Sequence, residues 1–206
     1  MTLWIPAQKA LVKADPAFKP VIRAVGDCTI TPQKTQPYAA LLSAIAHQQL
    51  HGKAAATILG RFTTLYNGRM PKPAELLATT PEQLRACGFS TAKSAALLDV
   101  ALKAQEGVIP TLAAANKLDN EELIVRMTAP RGVGRWTVEM FLMFTLGRPD
   151  VLPVDDFGIR EGYKALHNLP AQPKPKELLA IGERWAPWRT VASWYLWRAL
   201  ELSRQR

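Results

Sequence analysis

Apolar residues in this chain recur at three- and four-residue spacing almost everywhere, and alternating strand patterns are nearly absent. The stretches "YAALLSAIAHQQL" (38–50) and "KAAATILGRFTTLY" (53–66) each place an apolar stripe on one helical face. "TPEQL" offers Thr80 as a cap, Pro81 at the first helical position and Gln83 three residues on, the signature of a capping box. "STAKSAALLDVALKAQEG" (90–107) starts on Ser90 or Thr91 and stops at Gly107. "LDNEELIVRMTA" opens on Asp119 with Glu122 at the reciprocal position. "RWTVEMFLMFTLG" (135–147) is apolar on nearly all sides, which predicts burial, and "APWRTVASWYLWRALEL" (186–202) reads as one long Trp-rich helix. Only "GDCTITPQ" (26–33) has weak strand character. The expectation is an all-α protein of about ten helices joined by short loops marked by proline and glycine.

With 206 residues, 48% of them hydrophobic, the chain can bury the core of one large domain or two small ones. It holds no run of about eighteen apolar residues, so no membrane span is expected. Lys9, Lys13 and Asp15 interrupt the N-terminal stretch too early for a signal peptide. Cys28 and Cys87 are far apart, outside any CxxC or Cys/His cluster, which excludes a zinc knuckle and a four-cysteine iron–sulfur cluster and fits a reducing cytosol. The formal net charge of +9 favours a polyanionic partner: nucleic acid, anionic membrane or acidic protein. Lys and Arg are scattered rather than gathered in a tail, which implies a basic folded face. There is no internal repeat, and "LPAQPKPKELL" (169–179) is too short to serve as a linker between domains, so residues 1–206 read as one domain.

The densest information lies in "APRGVGRWTVEMFLMFTLGRPDVLPVDDFGIR" (129–160). Gly132 and Gly134 flank Val133 in a turn whose backbone can approach another surface closely. A helix then begins at once, presenting unpaired N–H groups and the positive end of its dipole. With "EELIVRMTA" upstream, this is a helix-hairpin-helix at about 119–147, a device that holds a DNA phosphate through main-chain amides without reading sequence. Val133 points inward to lock the helices, Arg131 and Arg135 flank the turn, and carbonyls near Gly132 and Gly134 can coordinate K+ or Na+. An ordinary interhelical turn is the plainer reading of the same pattern. Beyond it, Asp155 or Asp156 can cap the helix "FGIREGYKAL", and one can cap while its neighbour faces a cleft. At a glycosidic bond a carboxylate stabilises an oxocarbenium-like transition state and positions water.

Three ordered segments, "LLSAIAHQQLHGKAAATI", "GVGRWTVEMFLMFTLGRPDVLPVDDFGIR" and "ERWAPWRTVASWYLWRALE", resemble the helix-hairpin-helix (HhH-GPD) DNA glycosylases, in the 3-methyladenine-DNA glycosylase II branch, over roughly residues 36–200. The resemblance implies two helical lobes with a DNA-binding cleft, and extrusion of a damaged base into an aromatic-lined pocket that attracts cationic alkylated purines. It makes Asp156 the catalytic carboxylate and leaves Asp155 to cap. Trp136 stands where strand-cleaving members carry a Schiff-base lysine, which implies a monofunctional enzyme without AP lyase activity. The pocket is assigned to Trp136, Met140, Trp197 and Tyr38, and Trp185 and Trp188 to the core. Met140 replaces a pocket tyrosine of the bacterial relatives; Tyr38 can restore an aromatic face or simply cover a helix end. DNA contacts are assigned to Gly132, Val133, Gly134, Arg135 and Thr137 of the hairpin, and to Gln48, Gln49, Leu50, His51 and Lys53. Gln49 takes the place of the wedge that fills the gap left by the flipped base. His47 and His51 have no third group with which to bind a metal.

The chain is too short for the N-terminal β-rich domain of the bacterial relatives, so the compact two-lobed form is expected. The implied function is a monofunctional glycosylase of base excision repair that hydrolyses the N-glycosidic bond of 3-methyladenine- or 7-methylguanine-type purines and leaves an abasic site. It needs no cofactor beyond a structural K+ or Na+, acts as a monomer on damaged double-stranded DNA with no membrane partner, and is cytoplasmic, nucleoid-associated if bacterial. The alternatives are a non-catalytic helix-hairpin-helix DNA-binding protein and a glycosylase for hypoxanthine or etheno lesions.

Overall fold

The computed structural model describes residues 4–205, and among them there is helix and loop but no strand. The helices are α1 (Ile5–Ala14), α2 (Phe18–Val25), α3 (Pro37–His47), α4 (Gly52–Thr64), α5 (Pro73–Leu77), α6 (Pro81–Cys87) and α7 (Thr91–Gln105). They continue as α8 (Leu112–Ala115), α9 (Asn120–Thr128), α10 (Arg135–Phe144), α11 (Phe157–His167), α12 (Pro175–Gly182) and α13 (Arg189–Ser203), with a 3-10 turn at Glu183–Trp185 before the last. Contacts group the chain into two compact units. The first holds the residues up to Gln33 together with those from Leu142 onward; the second is Lys34–Phe141.

Several starts follow from the caps read in the sequence. Thr80 and Gln83 form the reciprocal capping box at α6, and Ser90 accepts the Lys93 amide at α7. Asp119 caps α9, but Glu122 does not reciprocate: its carboxylate turns forward to Arg126, an i,i+4 ion pair 2.9 Å long. α5 and α8 escape sequence reading because four or five residues are too few to establish a period. The C-terminal helix begins at Arg189, not at 186, because Ala186 precedes a proline and is held extended. The expected strand at 26–33 is instead an extended segment whose backbone groups are satisfied singly. The Trp4 indole donates to the Ile30 carbonyl, the Tyr195 hydroxyl to that of Gly26, and the Gln33 amide to that of Phe144.

The core of the first unit is built on Phe18, which meets Trp185 edge-on at 5.6 Å and Tyr195 at 6.5 Å. Trp185 is buried as expected, while Trp188 is half-buried against that core. In the second unit Phe62 packs edge-on against Tyr66 and Phe89, and α7 lies against α3, α5 and α6. No helix among the described residues is long and apolar enough to cross a membrane.

The tightest crossing in the first unit is α11 over α13. A β-carbon on Gly162 would lie 2.0 Å from the carbonyl oxygen of Leu196, so the two backbones touch where a side chain would stand. Gly158, one turn earlier, lies against the Trp197 indole, with a would-be β-carbon 3.0 Å from its Cδ1. In a helix interior each glycine costs about 1 kcal/mol relative to alanine, so these two hold their places through the close approach. Gly162→Ala reverses the propensity argument: it should destabilise by about 3 kcal/mol and lower Tm by roughly 8 °C, because backbone rather than a flexible side chain must move. Thermal unfolding followed by circular dichroism checks this, and an alanine variant as stable as the parent would show that the crossing is looser than described.

Candidate functional site

In the first unit, the loop between α10 and α11 is stitched to the start of α13. The Thr190 hydroxyl donates to the Arg148 carbonyl at 2.6 Å and accepts from the Val151 amide at 3.0 Å. The Asp150 carboxylate takes both the Nε (2.6 Å) and an Nη (2.7 Å) of Arg189, which holds Asp150 below its ordinary pKa. Ser193 donates to the Val151 carbonyl one helical turn further on. Thr190, Ser193 and Trp197 thus share one face of α13 and fasten the loop that ends at Asp156.

Asp156 is the N-cap of α11. Its Oδ1 accepts the Ile159 amide at 2.8 Å and the Trp197 indole N–H at 3.0 Å. The cap therefore falls on Asp156 and not on Asp155, which is exposed; this corrects the division of labour expected from the sequence. The physical reason is the register of the turn, in which the Asp156 amide bonds back to the Pro153 carbonyl and the first helical residue is Phe157. Trp197 is half-buried and stacks on Phe144, with ring centroids 6.1 Å apart and planes inclined by 24°. Phe157, directly after Asp156, exposes 56% of its surface. Sequence reasoning misses this aromatic, left in solvent beside an oriented carboxylate, because it reads there as an ordinary helical residue.

In the second unit, α9 and α10 pack about the turn that contains Gly132, Val133 and Gly134. Val133 is buried, and Gly132 has φ +77° and lies so close to α7 that a β-carbon would sit 3.1 Å from the Ala96 methyl. The Gly132 carbonyl accepts the Gln48 amide at 2.9 Å, and the Gly134 carbonyl accepts the amides of Thr137 and Val138. The Gly132 oxygen keeps a second lone pair with which it could face a monovalent cation, and no chemical step is routed through one. No group of three or more metal-binding side chains occurs among the described residues.

Two hairpin residues are engaged within the fold. Arg135 is half-exposed, but its guanidinium grips Glu121 of α9 with both Nη atoms (one bond at 2.9 Å) and Glu139 through Nε at 3.1 Å. These carboxylates, Glu121 foremost, raise its pKa further, and in this structure the guanidinium links the two helices. Thr137 is buried, because the helix periodicity turns position 137 inward.

The segment His47 to Leu50 is a turn rather than the end of α3. The Leu50 amide bonds to the His47 carbonyl at 3.3 Å. Gln48 has φ −54°, ψ 128° and Gln49 has φ 56°, the dihedrals of a type II turn. The second corner of such a turn favours glycine, and here a glutamine occupies it. Gln49 and Leu50 are exposed at its tip, and exposed His51 and Lys53 follow at the start of α4. Of the remaining pocket candidates, Trp136 is 48% exposed and Met140 half-buried on α10. The Tyr38 hydroxyl is buried without a hydrogen-bond partner, in the field of Tyr66 and Glu75, and its burial pushes its pKa up. The structure brings together Asp156 and Trp197 in one unit, and Gln48 and Gly132 in the other.

The turn makes a prediction independent of any activity. Gln49→Gly should leave stability unchanged or raise it by up to about 1 kcal/mol, whereas Gln49→Val should lower it by about 1–2 kcal/mol, since a β-branched residue is poorly tolerated at positive φ. Urea titration of both variants decides; equal stabilities would contradict the turn geometry.

Comparison with known proteins bears on the chain as a whole. The model of the HhH-GPD superfamily base excision DNA repair proteins matches residues 42–187. The chain is 45% identical over 192 residues to the DNA-3-methyladenine glycosylase 1 of Schizosaccharomyces pombe, covering 92% of this chain and 84% of that one. Among solved structures it is similar to the S. pombe 3-methyladenine DNA glycosylase (Mag1) in complex with abasic DNA, with a TM-score of 0.83, 45% identity, and 93% and 95% of the two chains covered. It is also similar to the DNA-3-methyladenine glycosidase of Bacillus halodurans, with a TM-score of 0.88, 35% identity, and 98% and 92% covered. The chain belongs to the helix-hairpin-helix (HhH-GPD) superfamily of base excision DNA repair proteins, in its 3-methyladenine-DNA glycosylase branch.

Proposed function

We propose that this chain is a monofunctional DNA glycosylase that, as a monomer, extrudes alkylated purines of the 3-methyladenine and 7-methylguanine type from duplex DNA and hydrolyses their N-glycosidic bond. The observation that carries the reading is the Asp156 carboxylate, whose Oδ1 is held by the Ile159 amide and the Trp197 indole. Both donors are fixed by backbone and helix packing, so the group is oriented before substrate arrives, and an oriented anion stabilises positive charge developing on the sugar. The leaving group, a purine already positive from alkylation, departs without needing a strong acid. The base leaves neutral with the electron pair of the broken bond, and water, positioned by the Asp156 carboxylate, adds to the sugar and gives up a proton to that carboxylate. Base and sugar separate, and an abasic site remains.

Two further observations support the finer points. Position 136 carries a tryptophan, whose indole nitrogen is not basic and cannot form a Schiff base with the opened sugar, so strand cleavage by β-elimination has no amine to begin it. The net charge of +9 and the hairpin turn favour a phosphate backbone as partner, and the neighbour of known structure was solved on abasic DNA. Such an enzyme works where the chromosome is, in the cytoplasm and at the nucleoid if the cell is bacterial.

The N-cap geometry makes Asp156→Asn a clean test. Asparagine caps a helix about as well as aspartate, so the variant removes charge and leaves the fold: Tm should move by less than about 2 °C while single-turnover base release falls at least about 100-fold. The substrate is a duplex carrying alkylated purines, with strand breaks read before and after alkali. Wild type should give breaks only after alkali. Release by Asp156→Asn at the wild-type rate would remove the carboxylate from the mechanism, and breaks without alkali would contradict the monofunctional reading.

A further inference from the structure

Three residues along one stripe of α7 tie together the Gln49 turn and the hairpin turn, both within the second unit. At one end Lys93 donates through Nζ to the carbonyls of Ala46 (3.1 Å) and Gln48 (2.8 Å). At the other, Asp99 Oδ2 accepts the Arg131 main-chain amide at 2.6 Å, where the chain enters the hairpin turn. Between them lies Ala96, against which Gly132 packs without a side chain. Gln48 closes the circuit by donating its side-chain amide to the Gly132 carbonyl.

The bond from Lys93 to Gln48 has a particular consequence. The Gln48 carbonyl belongs to the central peptide of the turn, the one group that points in opposite directions in type I and type II turns. A type I turn would place Gln49 at negative φ, where a glutamine is at ease; the type II form places it at φ 56°. Lys93 holds that carbonyl on the α7 side and so selects the less comfortable form through a charge-assisted hydrogen bond. Its ammonium meets no carboxylate in an ion pair among the described residues, and burial lowers its pKa. The negative end of the α3 dipole, whose last carbonyls it takes, is what offsets the charge. A lysine serving only to cover apolar surface would carry its head into water.

We infer that Lys93 is a positioning residue for base extrusion: by fixing the Gln48–Gln49 peptide, it aims the Gln49 side chain at a set place relative to the phosphate-holding hairpin. Without it the peptide relaxes, Gln49 turns away, and the hairpin still grips DNA while the wedge no longer enters the stack. This rests on the glycosylase reading for the purpose of the wedge, but not for the existence of the clamp.

The test reads wedge insertion apart from chemistry. A duplex carrying a tetrahydrofuran abasic analogue beside 2-aminopurine reports unstacking as a rise in fluorescence, and the Kd for an undamaged duplex reports the hairpin and the integrity of the fold. For Lys93→Met the fluorescence rise should shrink at least about fivefold while the Kd changes less than about threefold, and Lys93→Arg should keep at least about half of the rise. A Lys93→Met variant with an undiminished rise overturns the inference. Equal loss of fluorescence and of undamaged-duplex binding also overturns it, since a general structural role would give that. If wild type gives the rise but frees no base from alkylated DNA, the glycosylase reading falls and the clamp stands.

Discussion

The approach of α11 to α13 is the constraint on which the first unit, with its oriented Asp156, depends. Two glycines one turn apart, Gly158 and Gly162, let the helices meet backbone to backbone at Leu196. The residue after Leu196 is Trp197, and the crossing delivers its indole N–H to Asp156, the residue that begins α11. Helix packing, helix capping and the orientation of a carboxylate are therefore one geometric fact. Loosening the crossing by a methyl group displaces the cap and the hydrogen bond together. At the same place the helix dipole and the first-turn amide of Ile159 stabilise the negative charge of that carboxylate.

The second unit solves a different problem with similar economy. Its hairpin turn carries two glycines about Val133, and a turn so poor in side chains has little rigidity of its own. Rigidity comes from outside the turn: Arg135 clamps α9 to α10, and α7 supplies a flat seat at Ala96 and an acceptor at Asp99. The strained Gln49 is tolerable on the same terms. Backbone strain of order 1–2 kcal/mol persists only where neighbours over-determine it, and here the neighbours are a lysine on one side and a hairpin carbonyl on the other.

Much of this is legible in the sequence. The long amphipathic helices, the caps at Thr80, Ser90 and Asp119, and the Gly-Val-Gly turn all rest on local rules, and the helices appear within a few residues of where period and caps put them. Where sequence reasoning fails, the reasons are non-local. Asp155 and Asp156 are indistinguishable as cap formers until the register of the loop is fixed from α13, a contact about forty residues away in the chain. The apolar pattern runs past the end of α3 into a turn that is held by Lys93 of α7 and by the Gly132 carbonyl, contacts that no local pattern reveals. Arg135 reads as a phosphate ligand because Glu121, its partner on α9, is visible only when α9 and α10 are side by side, while Glu139, four residues on along α10, is a local partner the sequence offers. The spacing of Gly158 and Gly162 is an available signal: glycines four apart in an otherwise good helix mark a close crossing, and this pair points to the element that orients Asp156.

Whether the crossing orients the carboxylate through Trp197 is tested most directly by single-turnover base release with Trp197→Phe. Phenylalanine keeps the aromatic face against Phe144 and removes only the N–H donor to Asp156. The expected rate is about tenfold lower, the worth of one hydrogen bond to a charged acceptor, with Tm changed by less than about 3 °C. A Trp197→Phe enzyme that releases alkylated purines at the wild-type rate would contradict an Asp156 carboxylate oriented by this crossing.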